Sequence, residues 1–391
     1  MLKKTLVGVL FALVVVFSLA ANPEENAKAA AARKDFAAEL AIISPLALTG
    51  EAWAQNYLGD MYENGTGVPQ DYAQAATWYL KAAEQGNAEA QWSLGDLYNE
   101  GLIGPQDYAQ AATWFRKSAE QGNAKAQDSL GAMCEVGEGV PQDYAQAATW
   151  YFKAKDFAAE LEIVRPLALK GEAWAQLHLG VMYGDGLGVP QDYVQALAWY
   201  QKAADQGLAG AQYMVGNLNY NGKGCPQNYA ETVKWYQKAA DQGLAIAQWS
   251  LGYLYYEGEG VLQNYGEAVM WYEKAADQGL AVAQYGLGLL YDDGKGVPQN
   301  YAEAAQWYQK AADQGMSGAQ YGLGILYIKG EGVPQDYIKA HMWLNLATVG
   351  LEGDKESRNS AVAARDMVAK LMTPEQIAEA QKLASQWAPT K

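Results

Sequence analysis

The chain has 391 residues, half of them apolar, with 44 acidic and 28 basic residues and a formal net charge of −16. A chain of this length and hydrophobicity can bury a large core, which excludes an intrinsically disordered protein. The acidic excess repels phosphate groups, and this excludes nucleic acid and anionic membrane surfaces as partners.

Residues 1–20 have the organisation of a secretory signal peptide. Two lysines precede an apolar run of 14 residues, 6–19, which ends among small residues. This run is shorter than the ~20 residues that cross a bilayer, so we expect cleavage between Ala20 and Ala21 and no permanent membrane anchor afterwards. The mature chain, with 26 basic and 44 acidic residues and a net charge of −18, is expected in the periplasm of a Gram-negative bacterium, or secreted.

Tryptophans recur at a fixed step of 36 residues in two series. Periods of 20–50 residues indicate a stacked array in which each unit buries its apolar face against its neighbours. We therefore predict that the eight repeat tryptophans belong to the structural core of the repeats: Trp78, Trp114, Trp150, Trp199, Trp235, Trp271, Trp307 and Trp343.

Each repeat is predicted to contain two helices, which we call helix A and helix B. In "AEAQWSLGDLY", residues 88–98, apolar and small residues recur at steps of three and four, which predicts helix A. A glycine and a "GxGVPQ" loop follow. An Asp or Asn then precedes helix B, usually with Gln or Glu three positions later, as in Asp71 and Gln74. This pattern resembles a capping box in seven of the eight copies, and Asp336 with Lys339 is the exception.

The full unit, "A-x-A-Q-x-x-L-G-x-x-Y-x-x-G-x-G-V-P-Q-D-Y-x-x-A-x-x-W-Y-x-K-A", resembles the Sel-one-like repeat (SLR), a relative of the tetratricopeptide repeat. Eight copies cover roughly residues 34–350. The resemblance implies an all-α fold, a right-handed α-solenoid superhelix of helix-turn-helix repeats whose A helices line the concave side. It also implies a non-enzymatic scaffold that binds protein or peptide partners.

One block of sequence interrupts the period. Residues 34–55 and 155–176 share 18 of 22 positions, and each adds a B-type segment without a helix A before it. Because no Gly or Pro separates Trp150 from Phe157, the pattern predicts one long helix from about Asp143 towards Pro166. A break at Lys155 is the alternative. The predicted domains are the signal peptide, a first array over 21–154, a second array over 155–350 and a helical C-terminal cap over 351–391.

The C-terminal residues leave the repeat pattern. They are predicted to form two helices separated by Thr373 and Pro374, with Thr373 as N-cap and Gln376 at the third helical position. Helices with a polar outer face are typical of the element that closes a solenoid.

The two cysteines are predicted to be free and partly buried. Cys134 and Cys225 lie two repeats apart, and helix layers stack ~8–10 Å apart. The ~7 Å limit between bridged Cα atoms is therefore exceeded. Cys134 takes the place of a repeat Tyr, so packing is its expected role.

No arrangement of residues in the sequence predicts an active site. His178 and His341 are five repeats apart, and no nucleophile with a nearby base, no metal-ligand spacing and no cofactor motif is found. The alternative is a cell-envelope hydrolase or binder, β-lactamase-like or peptidoglycan-associated, because a cysteine-rich branch of the resembled family has been described in this way. That branch carries a cysteine pair in each repeat, and this chain does not.

The position after the repeat Gln of helix A is the candidate binding surface, and we call it the ladder. It carries an aromatic ring in five copies: Trp92, Tyr213, Trp249, Tyr285 and Tyr321. The other copies have Asn56, Asp128 and Leu177. Trp and Tyr are the usual anchors of binding energy, so the ladder is predicted either to bind an extended peptide or to pack between A helices as core.

Overall fold

The computed structural model describes residues 22–350 and 355–390, which contain 21 helices and no strand. The predicted all-α class is confirmed. The predicted signal peptide and its cleavage site at Ala20 and Ala21 lie outside the described residues. In the part of the chain that is described, no helix is long and apolar enough to cross a membrane.

Sixteen of the helices form the eight predicted A–B pairs. The A helices are α3 (Ala52–Asn64), α5 (Ala88–Asn99), α7 (Ala124–Val136), α10 (Ala173–Asp185), α12 (Ala209–Asn221), α14 (Ala245–Glu257), α16 (Ala281–Asp293) and α18 (Ser317–Lys329). The B helices are α4 (Tyr72–Glu84), α6 (Tyr108–Glu120), α8 (Tyr144–Ala154), α11 (Tyr193–Asp205), α13 (Tyr229–Asp241), α15 (Tyr265–Asp277), α17 (Tyr301–Asp313) and α19 (Tyr337–Gly350). The others are α1 (Pro23–Ala32), α2 (Phe36–Thr49), α9 (Phe157–Lys170), α20 (Lys355–Ala369) and α21 (Pro374–Gln386).

The chain divides between Leu167 and Ala168 into two compact units. Unit 1 contains α1–α8 and most of α9, and unit 2 contains the remaining helices from α10 onwards. Within each unit, every A helix packs against the B helix that follows it, and that B helix packs against the next A helix. Each pair therefore buries its apolar face only against sequence neighbours, as expected of a repeat array.

The two helices of a pair approach closely at one glycine of helix A. A Cβ atom added to Gly216 would lie 2.5 Å from ring atoms of Tyr236 on helix B. The same glycine faces an aromatic ring in six of the other seven pairs, and this ring is Phe115 in the second copy. In the last pair the glycine faces the side chain of Leu344. The "LG" of helix A and the residue after the repeat Trp therefore form one contact.

The loop between the helices is held at both ends by side chains of its "PQD" or "PQN" segment. In all eight copies the loop Gln donates from Nε2 to a carbonyl oxygen seven residues earlier, at 2.6–2.9 Å. The following Asp or Asn accepts from the backbone N–H three residues later, and this includes Asp336. The loop thus satisfies end groups of both helices.

The second loop glycine connects consecutive repeats. Gly260 has φ +71°, and an added Cβ would lie 2.5 Å from the backbone carbonyl group of Tyr229, at the start of the preceding helix B. The same contact, to a residue 31 positions earlier, recurs at Gly67, Gly139, Gly224, Gly296 and Gly332. Only glycine meets both the left-handed backbone and the close approach.

Glutamine side chains form two further connections, one to the preceding repeat and one within the A–B pair. The buried repeat Gln of helix A donates to a carbonyl oxygen eight residues earlier, as Gln248 does to Ala240 at 3.1 Å. Its Oε1 accepts from the Gln that ends the next helix B, as in Gln278 Nε2 to Gln248 Oε1 at 2.8 Å. Six copies make this second bond, over 30 residues of sequence, at 2.7–2.8 Å.

The predicted long helix over about 143–166 is wrong. Helix α8 ends at Ala154, Lys155 adopts a left-handed conformation with φ 63°, and α9 begins at Phe157. Asp156 caps α9 by accepting from Ala159 N at 3.0 Å. Lys34 and Asp35, the same dipeptide near the start of the chain, repeat this geometry with φ 57° at Lys34 and an Asp35 cap on α2.

The predicted C-terminal pair of helices is confirmed as α20 and α21. Thr373 and Gln376 form a complete capping box, with both reciprocal bonds present. Beyond α21, Trp387 meets Trp343 edge-to-face, and Thr390 donates from its backbone N–H to the Asp313 carbonyl oxygen at 2.8 Å. The tail therefore covers the last repeats of unit 2.

Candidate functional site

The five ladder rings are all partly buried and partly exposed. In unit 2, Tyr213 stacks on Tyr236 with ring centroids 5.3 Å apart, and Trp249 stacks on Tyr253 at 6.0 Å. Tyr285 lies 6.0 Å from Tyr308. One side of each of these rings therefore packs on an aromatic of its own repeat.

Ladder residues also pack on core clusters that extend from their own pair into the helix that follows it. Trp249 packs on the core cluster that contains Tyr272, and Tyr321 packs on the cluster of Ala340, Leu344 and Val368. In unit 1, Trp92 packs on the core cluster that contains Phe115 and donates from Nε1 to Ser129 Oγ at 3.3 Å on the next helix A. The ladder is thus part packing and part surface.

Seven of the eight repeat tryptophans are more exposed than the residue that follows them, and Trp271 and Tyr272 are both 4% exposed. Trp271 and Trp343 are buried, and the other six are partly exposed. Seven of them carry the ammonium group of the Lys three positions later over the ring, at 3.7–4.2 Å from its centroid. The next residue, Tyr79 or Tyr236 for example, is buried in every copy.

Unit 1 contains a groove of about 420 Å³ on its A helices, which the sequence did not predict and which we call the N-terminal groove. Its lining comes from α1, α3 and α5, from Asn87 before α5, and from Lys125 of α7: Glu24, Lys28, Trp53, Asn56, Tyr57, Asp60, Asn87, Glu89, Trp92, Ser93 and Lys125. The groove therefore combines aromatic rings with charged and amide side chains.

Two polar groups in this groove are poorly solvated. Asn56, the first ladder residue, is only 9% exposed, and among the described residues its Oδ1 has no hydrogen-bond partner. Burial raises the pKa of Asp60 to about 6, although a hydrogen bond from the Tyr79 hydroxyl at 2.6 Å opposes that shift. Burial raises the pKa of Tyr79 as well, so this hydroxyl stays protonated, and its one proton is shared between Asp60 and Glu63, whose Oε2 also lies within hydrogen-bond distance.

The lysines of the groove are held at its rim. Lys28 donates to Glu24 at 2.6 Å within α1. Lys125 lies 3.6 Å from Glu89 and places its ammonium 4.4 Å from the Trp92 ring centroid. Both members of the Lys125–Glu89 pair are more than half exposed, so that pair is weak.

The thiols and histidines are placed for packing. Both cysteines are unpaired, with Cys134 buried and Cys225 partly buried, and burial raises the pKa of both thiols. Burial, and then the charge of Arg365, lowers the pKa of His341. His178 meets Trp174 edge-to-face at 5.8 Å. Within the described residues, no group of three or more His, Cys, Asp or Glu side chains is arranged to hold a metal ion.

The sequence contained weak signals for the N-terminal groove. Asn56 stands where most copies have a larger side chain, and Asp60 shares its repeat position with one other acidic residue, Asp96. Helix α1, however, lies outside the eight A–B pairs, so its packing beside α3 could not be read from the period.

The fold is built of helix hairpins closed by a common glycine contact, a common loop and, in six copies, paired glutamines. Stacked hairpins of this kind define an all-α repeat solenoid of the tetratricopeptide-like class. More specifically, the chain belongs to the Sel1 repeat family. The family model for the Sel1 repeat matches residues 54–87, 88–123, 124–156, 175–208, 209–244, 245–280, 281–316 and 317–348.

Two solved structures illustrate the relatives of this chain. One is a protective antigen present in uropathogenic Escherichia coli strains and displaying an SLR fold, with 33% identity over 90% of this chain and 87% of that one and a TM-score of 0.43. The other is a Sel1 repeat protein from Oxalobacter formigenes, with 31% identity over 84% and 89% of the two chains and a TM-score of 0.48. No curated protein matches the sequence significantly.

Proposed function

We propose that this protein is an exported, non-enzymatic scaffold that binds extended segments of protein partners along the ladder of its A helices. Proteins built from Sel1 and tetratricopeptide-like repeats are typically interaction scaffolds. The observation that carries the proposal is that Tyr213, Trp249, Tyr285 and Tyr321 of unit 2 occupy one position on successive A helices and all keep part of their surface exposed.

The physical basis is the energy that aromatic rings contribute when a partner covers them. Each ladder ring is already oriented by packing on one side, so binding costs little side-chain entropy. Trp and Tyr are the commonest residues in binding hot spots. The net charge of −16 favours a basic or amide-rich partner over an acidic one.

The test is the double variant Trp249→Ala with Tyr285→Ala, compared with the control Trp235→Ala on helix B. A photo-cross-linking residue at Tyr321 should capture a discrete partner in the native cell envelope, identified by mass spectrometry. We expect the double variant to lose this adduct while the control keeps it, with unchanged helix content by circular dichroism in both. Loss of helix content in the double variant alone would assign the rings to the core and contradict the proposal.

Export is supported by the charged and apolar organisation of residues 1–20. Expression of the full chain in a Gram-negative host, followed by periplasmic extraction and intact-mass measurement, should give a species beginning at Ala21. A cytoplasmic species that retains Met1 would contradict export.

The non-enzymatic assignment is supported by the chemistry of the thiols. Both have a raised pKa, so they are protonated at neutral pH and are poor nucleophiles. Incubation of the purified protein with a chromogenic cephalosporin should give no turnover above a heat-inactivated sample. Turnover above that control would favour the envelope hydrolase instead.

A further inference from the structure

We propose that the N-terminal groove of unit 1 binds the guanidinium group of an arginine side chain. This inference deepens the proposed function and rests on it, because the arginine would belong to a bound protein segment. It names the chemistry of a site that lies apart from the aromatic ladder of unit 2.

The hydrogen-bonding groups at the base of the groove require a donor. Asn56 is nine-tenths buried, and in the described part of the chain its Oδ1 has no partner. A donor from a ligand would satisfy this amide after a turn about χ2. The Asp60 carboxylate receives the Tyr79 hydroxyl at 2.6 Å, and a carboxylate has about four lone-pair sites, so it can accept more than this bond.

The charge of the groove selects a cation. Glu24, Asp60 and Glu89 line it together with Lys28 and Lys125, so carboxylates outnumber ammonium groups. The two lysines lie against Glu24 and Glu89, whereas no lysine or arginine of the described residues forms an ion pair with Asp60. Desolvation makes the charged form of Asp60 unfavourable, which is why its pKa is raised. A cation brought by a ligand would stabilise that charged form.

The aromatic walls favour a cation as well. Trp53, Tyr57 and Trp92 line the groove, and the Trp92 ring already accepts the Lys125 ammonium at 4.4 Å from its centroid. Lys125 is more than half exposed, so a ligand can displace it without moving buried atoms.

Guanidinium fits this set of groups better than ammonium. Its planar fork can donate to Asp60 and to Asn56 while its face stacks on an indole, and it is more weakly hydrated than an ammonium group. A lysine side chain offers a compact charge without the stacking surface. Neutral amides lack the charge that Asp60 requires.

The experiment titrates the full chain with N-acetyl-arginine amide and follows the indole N–H resonance of Trp92 by NMR, assigned with Trp92→Phe. The matched probes are the citrulline derivative, which has nearly the same shape without the charge, and the lysine derivative. We expect the arginine probe to bind at least ten-fold more tightly than the citrulline probe and several-fold more tightly than the lysine probe. Equal binding of the arginine and citrulline probes would overturn the proposal.

Two variants test the named groups. Asp60→Asn keeps an acceptor for Tyr79, as Asn217 accepts from Tyr236 at 2.5 Å in a later repeat. Asn56→Leu introduces the residue that occupies the same ladder position at Leu177. Each should weaken arginine binding about ten-fold or more with unchanged circular dichroism, and Lys125→Ala should strengthen it two- to three-fold. Wild-type affinity in both Asp60→Asn and Asn56→Leu would contradict the site.

Failure of this site and failure of the proposed function can be told apart. The ladder test reads cross-linking at Tyr321 in unit 2, whereas this test reads a free amino-acid derivative at Trp92 in unit 1. Retention of the cross-link in the Trp249→Ala, Tyr285→Ala double variant would therefore refute binding along the ladder while leaving the arginine titration readable, and a failed titration would leave the cross-linking test readable.

Discussion

At the scale of single residues, polar side chains at two positions near the end of helix A accept from the buried hydroxyl of helix B: Asp60 and Asn217 share one position, and Asp292 stands three residues further along the repeat. Asp60 accepts from Tyr79, Asp292 accepts from Tyr308 at 3.1 Å, and Asn217 accepts from Tyr236. Burial raises the pKa of both aspartates, which means that the charged form is the less stable one in the folded chain. Asparagine makes the same hydrogen bond without that cost.

We expect Asp60→Asn to stabilise the protein at neutral pH. The folded pKa of Asp60 is about 6, above its ordinary value of 3.8, so its favourable contribution to stability is complete below pH 3.8 and is lost as the pH rises through 6. The variant lacks this loss, so its free energy of unfolding should exceed that of the wild type by about 1–3 kcal/mol at pH 7. Urea unfolding at several pH values should show the difference disappearing towards pH 4. A constant difference across this range would contradict the prediction.

The deeper of two adjacent aromatics should also be the costlier to remove. Tyr236 is 4% exposed and faces Gly216, whereas Trp235 is partly exposed beneath the Lys238 ammonium at 3.8 Å. We expect Tyr236→Ala to cost about 3–5 kcal/mol and Trp235→Ala about 1–2 kcal/mol. Thermal unfolding of the two single variants gives the comparison. A larger loss for Trp235→Ala would restore the tryptophan as the main core residue.

This pair illustrates what the repeat period could and could not predict. Period and helix face identified the positions of both Trp235 and Tyr236, because adjacent residues lie on one broad side of a helix. Their relative depth depends on the glycine of the partner helix, 20 residues earlier in sequence. The hydrogen bond from Gln278 to Gln248 joins residues 30 positions apart, so the repeat period could not predict it either.

At the scale of elements, the loops act as spacers between repeats. In six of the loops the second glycine lies against the start of the preceding helix B, and the loop Gln and Asx side chains hold the two helix ends; Gly104 in the second copy has nothing within 4 Å. The sequence predicted a connecting loop from "GxGVPQ", but the contact with the previous repeat required the packed structure. This contact explains why two glycines, and not one, recur in the loop.

We expect Gly260→Ala to destabilise the protein more than Gly243→Ala does. Both glycines have positive φ, +71° and +88°, so both variants carry the strain of a left-handed alanine, about 1 kcal/mol. Only at Gly260 does the added methyl meet a backbone carbonyl, at 2.5 Å, whereas Gly243 has nothing within 4 Å. Urea midpoints should therefore separate the two variants, with Gly260→Ala about 1–3 kcal/mol less stable. Equal midpoints would mean that the loop moves aside freely.

The break at Lys155 shows a limit of periodicity. A helical face continues from Trp150 to Val164, and no glycine or proline interrupts it, so the pattern favoured one helix. The break instead depends on a non-glycine residue in the left-handed region, which is uncommon. Asp156 compensates by capping the next helix, and Lys34 with Asp35 adopts the same geometry at the start of the segment 34–55, so the break belongs to the duplicated sequence.

At the scale of the whole molecule, each connection between repeats joins a repeat to the next one along the chain, apart from the contact of the C-terminal tail with Asp313, so stability should be roughly a sum over repeats and their interfaces. Removing residues 245–280 deletes α14 and α15, one complete A–B pair of 13 residues per helix. The new junction brings Gly296 to Tyr229 in place of Tyr265, and both partners begin a helix B. The Gln314–Gln284 and Gln242–Gln212 bonds stay within retained segments.

We therefore expect the 36-residue deletion to fold, with the helical circular dichroism signal reduced in proportion to the 26 helical residues removed. The control removes residues 245–262 only, which leaves α15 without its helix A and exposes the face of Tyr272 that Gly252 covers. That control should lose several kcal/mol of stability, because an apolar face is left without a partner. Global unfolding of the 36-residue deletion, with the 18-residue deletion no worse, would show that the repeats are not interchangeable units.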